Sequence, residues 1–407
     1  MADNSMENIR SFGDTTFTCE FSAAPLVLRA GCLSGATRDR LHGPHFSDDM
    51  MTTLKLLAGP RAFAQIRNQG LAPEDISAVF GASGAAKWLT IYGLDRAIFS
   101  DWLALSSHPV DLFGTSVGAF KLAAAAQRDP AAALTVLADA YIAQQYVGSV
   151  TAAQIALETR RILAAFLPSD AVTDILQNPR YNYHCASVRC LGMLADHRPS
   201  AQKLAMLKAF VLALGGRKFH QQTFERVIFH SGATVHDYAG RDGFTTHRVA
   251  LTPSNFVPAI LSSGSIPVLM PGVTGIDGAP SGVYRDGGLL DYHAVPTNVT
   301  EIQQGLVLYP HFYPHIKEGW FDKFAPWRKV TGQQLDDTLM VCPSAEFVSS
   351  LPGGVIPDRR DFVKYQGDDP QRMRRWAQAR DQSLALGEEF LQLARTGDIA
   401  GRVELLA

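Results

Sequence analysis

Gly114-Thr115-Ser116-Val117-Gly118 is a G-x-S-x-G sequence, and it is the one full match in the chain. That pattern can hold a serine hydroxyl on a sharp strand-to-helix turn, ready to attack an acyl carbon. The glycines are needed because a side chain beside the turn would meet neighbouring backbone, and a helix starting at once puts the serine at its positive end. The flanks fit: the apolar run PVDLF precedes the motif and AFKLAAAAQ, rich in alanine, follows it. Upstream, Gly81-Ala82-Ser83-Gly84-Ala85 also follows an apolar run but lacks the final glycine. A loop of such small residues suits the presentation of backbone N–H groups to an oxyanion. Lys87, just beyond it, either faces a substrate phosphate or is a solvated helix lysine. A carboxylate partner is offered by Asp286-Gly287-Gly288, after the strand-like GVYR. An aspartate ending a parallel strand would share the sheet edge of the elbow. Asp277-Gly278-Ala279 is the other candidate, but it sits in a Gly- and Pro-crowded loop with no strand before it, so Asp286 is preferred.

The elements that must position these residues are short and alternate. ISAVF before Gly81 and PVDLF before Gly114 read as strands, and helices follow near Trp88, from Ala119 and, after Asp129-Pro130, through AAALTVLADAYIAQQ. Strand signals return at ERVIFHSG, THRVAL, GVYR and GLVLYP. The expected fold is therefore α/β: three layers, α/β/α, around a largely parallel sheet. Residues 151–216 read as a helical insertion. A C-terminal helix is expected from an Asp369-Pro370 cap to Thr396-Gly397, with Met373, Trp376, Phe390, Leu391 and Ala394 as its buried stripe. No repeat or low-complexity linker divides the chain. The expected organisation is an N-terminal elaboration over 1–70, a catalytic core over 71–310 and a C-terminal extension over 311–407 packed on it.

Composition narrows the function classes. The 407 residues are 46% hydrophobic, enough for one large core. A formal net charge of -2 provides no excess of cations to follow a nucleic-acid backbone, so nucleic acid is not an expected partner. The five cysteines, Cys19, Cys32, Cys185, Cys190 and Cys342, are scattered without metal-like spacing. They read as free thiols, and neither metal nor other cofactor is expected. The N-terminus has Asp3, Glu7 and Arg10 before any apolar run, unlike a secretory leader, which makes the cytoplasm the expected location. The uncharged stretch Val249–Ile276 contains Pro253, Pro258, Pro267 and Pro271 and reads as a buried helix followed by a loop rather than a membrane span.

Taken in order, the small-residue loop, G-x-S-x-G and D-G-G, together with SSGSIPVLMPGV before DGGLLD, resemble the patatin-like phospholipase family over roughly Ile76 to Pro310. The loop here has alanines and places its basic residue, Lys87, later than the family does, and Asp291-Tyr292-His293 stands where the family often has asparagines. The resemblance implies a patatin-like fold and a lipid or other acyl-ester substrate. It also implies a dyad in which Asp286 takes the Ser116 proton without a histidine relay, and an oxyanion held by N–H groups of Gly81, Ala82, Ser83, Gly84 and Val117. Two alternatives stay open. His293, His311 and His315 all follow Asp286, so a Ser-Asp-His triad is permitted, and a non-catalytic lipid-binding protein on a hydrolase scaffold would share the same motifs. The segment 311–330 mixes Phe312, Tyr313, Trp320, Phe321, Phe324 and Trp327 with lysine and arginine, and either packs on the core or makes a peripheral membrane contact.

Overall fold

The computed structural model describes residues 52–146, 148, 150–196, 198–232, 242–296 and 305–406; the expected N-terminal elaboration up to residue 51, with Cys19 and Cys32, lies outside them. Among the described residues ten strands form one sheet: β1 (Leu54–Ala58), β2 (Ile76–Gly81), β3 (Val110–Gly114), β4 (Tyr181–Cys190), β5 (Phe224–His230), β6 (Thr246–Ala250), β7 (Val283–Asp286), β8 (Leu306–Pro310), β9 (Thr338–Pro343) and β10 (Glu404–Leu405). Their order is β10-β1-β9-β8-β2-β3-β4-β5-β6, with β7 paired to β4 off this path. Neighbours are parallel except at β1/β9, β4/β5 and β4/β7, so the sheet is mixed but largely parallel, flanked by helices in a three-layer α/β/α arrangement. β2 and β3 are buried along their whole length, as strands covered on both faces are. Phe80 and Phe113 meet there with ring centroids 5.2 Å apart. Each such side chain stabilises the core by about 1.5–3 kcal/mol through the area it removes from water.

The longer helices are α1 (Pro60–Gln69), α2 (Val117–Ala125), α3 (Pro130–Ile142), α4 (Ala152–Phe166), α5 (Ser169–Leu176), α6 (Pro199–Gly215), α7 (Phe256–Ser263), α8 (Asp369–Gln382) and α9 (Leu384–Thr396). Asp129 caps α3 by accepting the Ala132 N–H, with Pro130 at the first position. α7 is the buried helix expected within Val249–Ile276.

Three expectations need correction. The 151–216 segment is not wholly helical, because β4 runs through it and pairs with β3, β5 and β7. Asn182, His184, Ser187 and Arg189 interleave its apolar residues and hide it as a strand. The single C-terminal helix is two, separated at Ser383, and its cap is Asp368 rather than Asp369. Ser383 Oγ accepts the Gly93 N–H (2.8 Å), a contact that fixes the break. Trp376 and Phe390 are buried, while Met373, Leu391 and Ala394 pack partly buried beside them. Finally, β1 lies in the expected 1–70 elaboration and β9 in the expected 311–407 extension, yet the two pair with each other inside the central sheet. Cys185, Cys190 and Cys342 are free and buried. Among the described residues, no helix is long and apolar enough to cross a membrane.

Candidate active site

β3 ends at Gly114, and α2 begins at Val117. Between them Ser116 takes φ 54° and ψ -131°, a left-handed conformation that costs an L residue on the order of 1–3 kcal/mol. The surroundings hold it there. The Ser116 N–H donates to both the carbonyl (3.1 Å) and the hydroxyl (3.0 Å) of Ser263, at the end of α7, and Ser263 Oγ in turn donates to the Ala186 carbonyl (2.7 Å). The flanking glycines answer to close backbone approach. A Cβ on Gly118 would lie 2.2 Å from the Gly81 carbonyl oxygen, and one on Gly114 would lie 2.6 Å from the Gly118 carbonyl carbon.

Asp286 reaches the serine by a route the parallel-strand expectation did not contain. β4 continues past the end of β3: Gly114 pairs with Cys185, and residues Ser187 to Cys190 run on beyond it. β7 pairs antiparallel with this overhang, returning toward the elbow and ending with Asp286 opposite Ser187. The tips of β3 and β7 thus point at each other along one side of β4. A Cβ on Gly287 would lie 2.1 Å from the Ala186 carbonyl oxygen, which explains a glycine behind the carboxylate.

The result is a direct contact. Ser116 Oγ donates to Asp286 Oδ2 at 2.8 Å, and the Gly288 N–H donates to Oδ1 at 2.7 Å. Ser116 is half-buried and Asp286 buried. Burial pushes the Asp286 carboxyl up from 3.8 to about 6, against the hydrogen bonds of Ser116 and Gly288 and the charges of Lys323 and Arg359. Asp277 is exposed and accepts from Ser254 Oγ (2.9 Å), outside this constellation.

The small-residue loop is adjacent, with Gly81 paired to Gly114 across β2 and β3. Two of its expected roles change. The Ser83 N–H donates to the Tyr292 carbonyl (2.9 Å), so it is committed and does not face an oxyanion. The Ser83 hydroxyl is buried between the Thr115 carbonyl (2.9 Å) and hydroxyl (2.6 Å), as a brace for the elbow. Gly81, Ala82, Gly84 and Val117 remain, and the Val117 N–H, in the first turn of α2, has no acceptor within its helix. Gly84 is required by contact, since a Cβ there would lie 2.4 Å from the Phe312 ring. Lys87 is paired with Asp358 at 2.5 Å, both largely buried, which replaces the free phosphate-facing cation with an ion pair.

None of the three candidate histidines touches the pair. His293 Nδ1 accepts the Lys317 N–H (3.0 Å), His311 Nδ1 accepts the Tyr313 N–H (2.9 Å), and His315 is exposed and stacks on Tyr313. Among the described residues, no histidine is hydrogen-bonded to Ser116 or Asp286. Burial pushes His311 down to about 3 and His293 well below its usual range.

Sequence reasoning missed what anchors the loop after Asp286. Asp291 accepts from Arg226 Nε (2.7 Å) and Nη2 (2.9 Å) and from Arg217 Nη2 (3.2 Å), and Asp242 joins the same arginines. Thr115 Oγ1 donates to the Asp291 carbonyl (2.7 Å), tying the elbow to this network. Removing Asp291 takes away its charge-assisted hydrogen bonds and leaves the two arginines to share Asp242, so Asp291→Ala should lower unfolding free energy by about 2–3 kcal/mol in urea titration. A loss below about 1 kcal/mol would show that the loop is held by other contacts.

No protein-family model and no curated protein matches the chain. Among solved structures, human GIVD cytosolic phospholipase A2 is similar over 83% of this chain at 12% identity, with a TM-score of 0.32. The chain spans 62% of that protein's length. At that TM-score the likeness carries no argument, and the functional reading stands on the site's own geometry.

Proposed function

We propose that the protein is a serine acyl hydrolase of the patatin-like phospholipase type, cleaving carboxylic esters of lipids in the cytoplasm with Ser116 as nucleophile and Asp286 as base. The observation that carries this is the 2.8 Å contact from Ser116 Oγ to Asp286 Oδ2 at a strained elbow. In the proposed reaction Asp286 accepts the hydroxyl proton as Ser116 Oγ bonds to the ester carbonyl carbon. The carbonyl becomes an oxyanion, which the Val117 N–H and free N–H groups of the Gly81–Gly84 loop stabilise at about 3 kcal/mol per donor. Collapse expels the alcohol, which takes the proton from Asp286, and leaves an acyl-serine. Water, giving its proton to the same carboxylate, then releases the acid and restores both side chains. A carboxyl raised to about 6 is a stronger base than an exposed aspartate and is still ionised at neutral pH.

Fluorophosphonate labelling followed by peptide mass spectrometry tests the reading, with the label expected on the peptide containing Ser116. An unlabelled protein that binds lipid would instead be the non-catalytic alternative. The triad alternative is disfavoured by the histidine geometry, which leads to a separate expectation. His293→Ala, His311→Ala and His315→Ala should each keep kcat within about tenfold of the parent, since a relay histidine contributes on the order of 10²–10⁴. Collapse of kcat in any one of them, with circular dichroism unchanged, would place the protein in the triad class.

A further inference from the structure

α6 is built inside out. Its buried face consists of Gln202, Ala205, Ala209 and Ala213, whereas Leu204, Leu207, Val211 and Leu214 are 56, 48, 58 and 47% exposed. A surface helix of a globular protein normally turns its large apolar side chains to the core and its small or polar ones to water. Here the exposed residues recur at helical spacing and form one stripe. Lys203 and Lys208 are exposed on the same helix, and no aspartate or glutamate occurs from residue 199 to 224.

The stripe continues onto the aromatic and basic segment, which the structure divides. Phe312 and Phe321 are buried, Phe321 stacking on His220, so that part is packing. Phe324 and Trp327 are 44 and 65% exposed, beside exposed Lys323 and Lys329. The two pieces are joined: Phe324 meets Phe210 of α6 edge to face at 5.3 Å, and Arg328 donates to the Ala213 carbonyl at the end of α6. Both are also tied to segments that carry the site. The Lys323 ammonium lies 3.4 Å from the centre of the Tyr292 ring, and Gln202 Oε1 accepts the Val268 N–H (2.8 Å) in the chain leading from α7 to β7.

We infer that the outer face of α6 together with Phe324 and Trp327 docks on a membrane surface containing anionic lipid, with α6 lying in the interface. The occupant follows from the chemistry: a continuous apolar stripe flanked by lysines, without acidic residues along the helix, complements acyl chains beneath negative head groups. Aromatic rings settle at head-group level. α6 has 17 residues, about 25 Å of helix, and carries lysines, so it suits lying on a bilayer and not crossing it. The docking rests on the lipid-hydrolase reading for its purpose, but it can be measured without turnover.

The test uses the full chain with Ser116→Ala and flotation with vesicles of phosphatidylcholine alone or mixed with phosphatidylserine. The parent Ser116→Ala protein should bind the mixed vesicles more tightly, and increasing salt should reduce the difference. Adding Leu207→Ser with Val211→Ser should weaken binding to the mixed vesicles by about tenfold or more. Lys203→Glu with Lys208→Glu should remove the preference for phosphatidylserine. In the Ser116 background both double variants should hydrolyse a short soluble ester as the parent does, which guards against misfolding. Failure of the parent to bind vesicles, or unchanged binding in both double variants, overturns the inference. So does conversion of a dimer to a monomer by the α6 variants with vesicle binding intact, which would make the face a contact between copies. Absence of ester hydrolysis with normal vesicle binding would sink the proposed activity and leave the docking standing.

Discussion

Ser116→Ala is expected to lower ester hydrolysis by on the order of 10⁴-fold or more and to abolish fluorophosphonate labelling, while Ser83→Ala keeps the label. The two serines lie at the ends of neighbouring strands, both after apolar runs, but they differ in every physical respect that matters. Ser116 is half-buried, sits at φ 54° and donates to a carboxylate. Ser83 is buried, donates to a carbonyl or hydroxyl of Thr115 and faces no base. Removal of the Ser83 hydroxyl leaves the Thr115 groups one partner short, a loss of about 1–3 kcal/mol in stability without loss of the nucleophile. Labelling that survived Ser116→Ala and disappeared with Ser83→Ala would reverse the assignment.

Asp286→Asn should reduce kcat by on the order of 10⁴-fold, and Asp277→Asn by little, because only Asp286 can accept the Ser116 proton. In the parent protein, kcat/KM should rise with pH to a plateau with a midpoint near 6, since the ionised carboxylate is the active form and burial raises its proton affinity. The same raised proton affinity has an opposite consequence for stability. Between 3.8 and about 6 the folded state binds more protons at this site than the unfolded state does. Stability conferred by the protonated form is therefore fully present below 3.8 and is lost as pH rises through 6. Raising the carboxyl from 3.8 to about 6 corresponds to about 3 kcal/mol at most. Asp286→Asn should thus be more stable than the parent at pH 7, with the two curves converging toward pH 3.8 in thermal or urea unfolding. An inactive variant that is also less stable at pH 7 would indicate that Asp286 is a structural hydrogen-bond acceptor and not a base held ready by burial.

Local features are the ones legible in the residues. A strand, a tight turn with glycines and a helix follow one another within the span from Val110 to Ala125, so the elbow is visible as a string of letters. Asp286 stands out for the same reason, as a carboxylate ending the short strand-like GVYR before two glycines. The direction of β7 is not legible, because whether a strand runs with or against its neighbour depends on a partner far away in the chain. β4 escapes notice because polar residues alternate with its apolar ones and leave no run. The commitments of Ser83 to Tyr292, Lys87 to Asp358 and Asp291 to Arg226 are equally hidden, each joining segments remote in sequence. α6 is legible as a helix, but its reversed faces are not, since alanine and leucine are both apolar and only burial shows which side is which.

The meeting of β3 and β7 along β4 makes that third strand a ruler. Ser116 and Asp286 are 170 residues apart in the chain, yet their separation is measured by the short stretch of β4 between Cys185, opposite Gly114, and Ser187, opposite Asp286. One residue added or removed there would change the gap by about 3.4 Å and turn the following side chains to the other face. Insertions elsewhere between the two, on the loops that join the intervening helices, leave the gap untouched. Length variation in homologous chains should therefore collect in those loops and avoid the middle of β4, whatever substrate each homologue accepts.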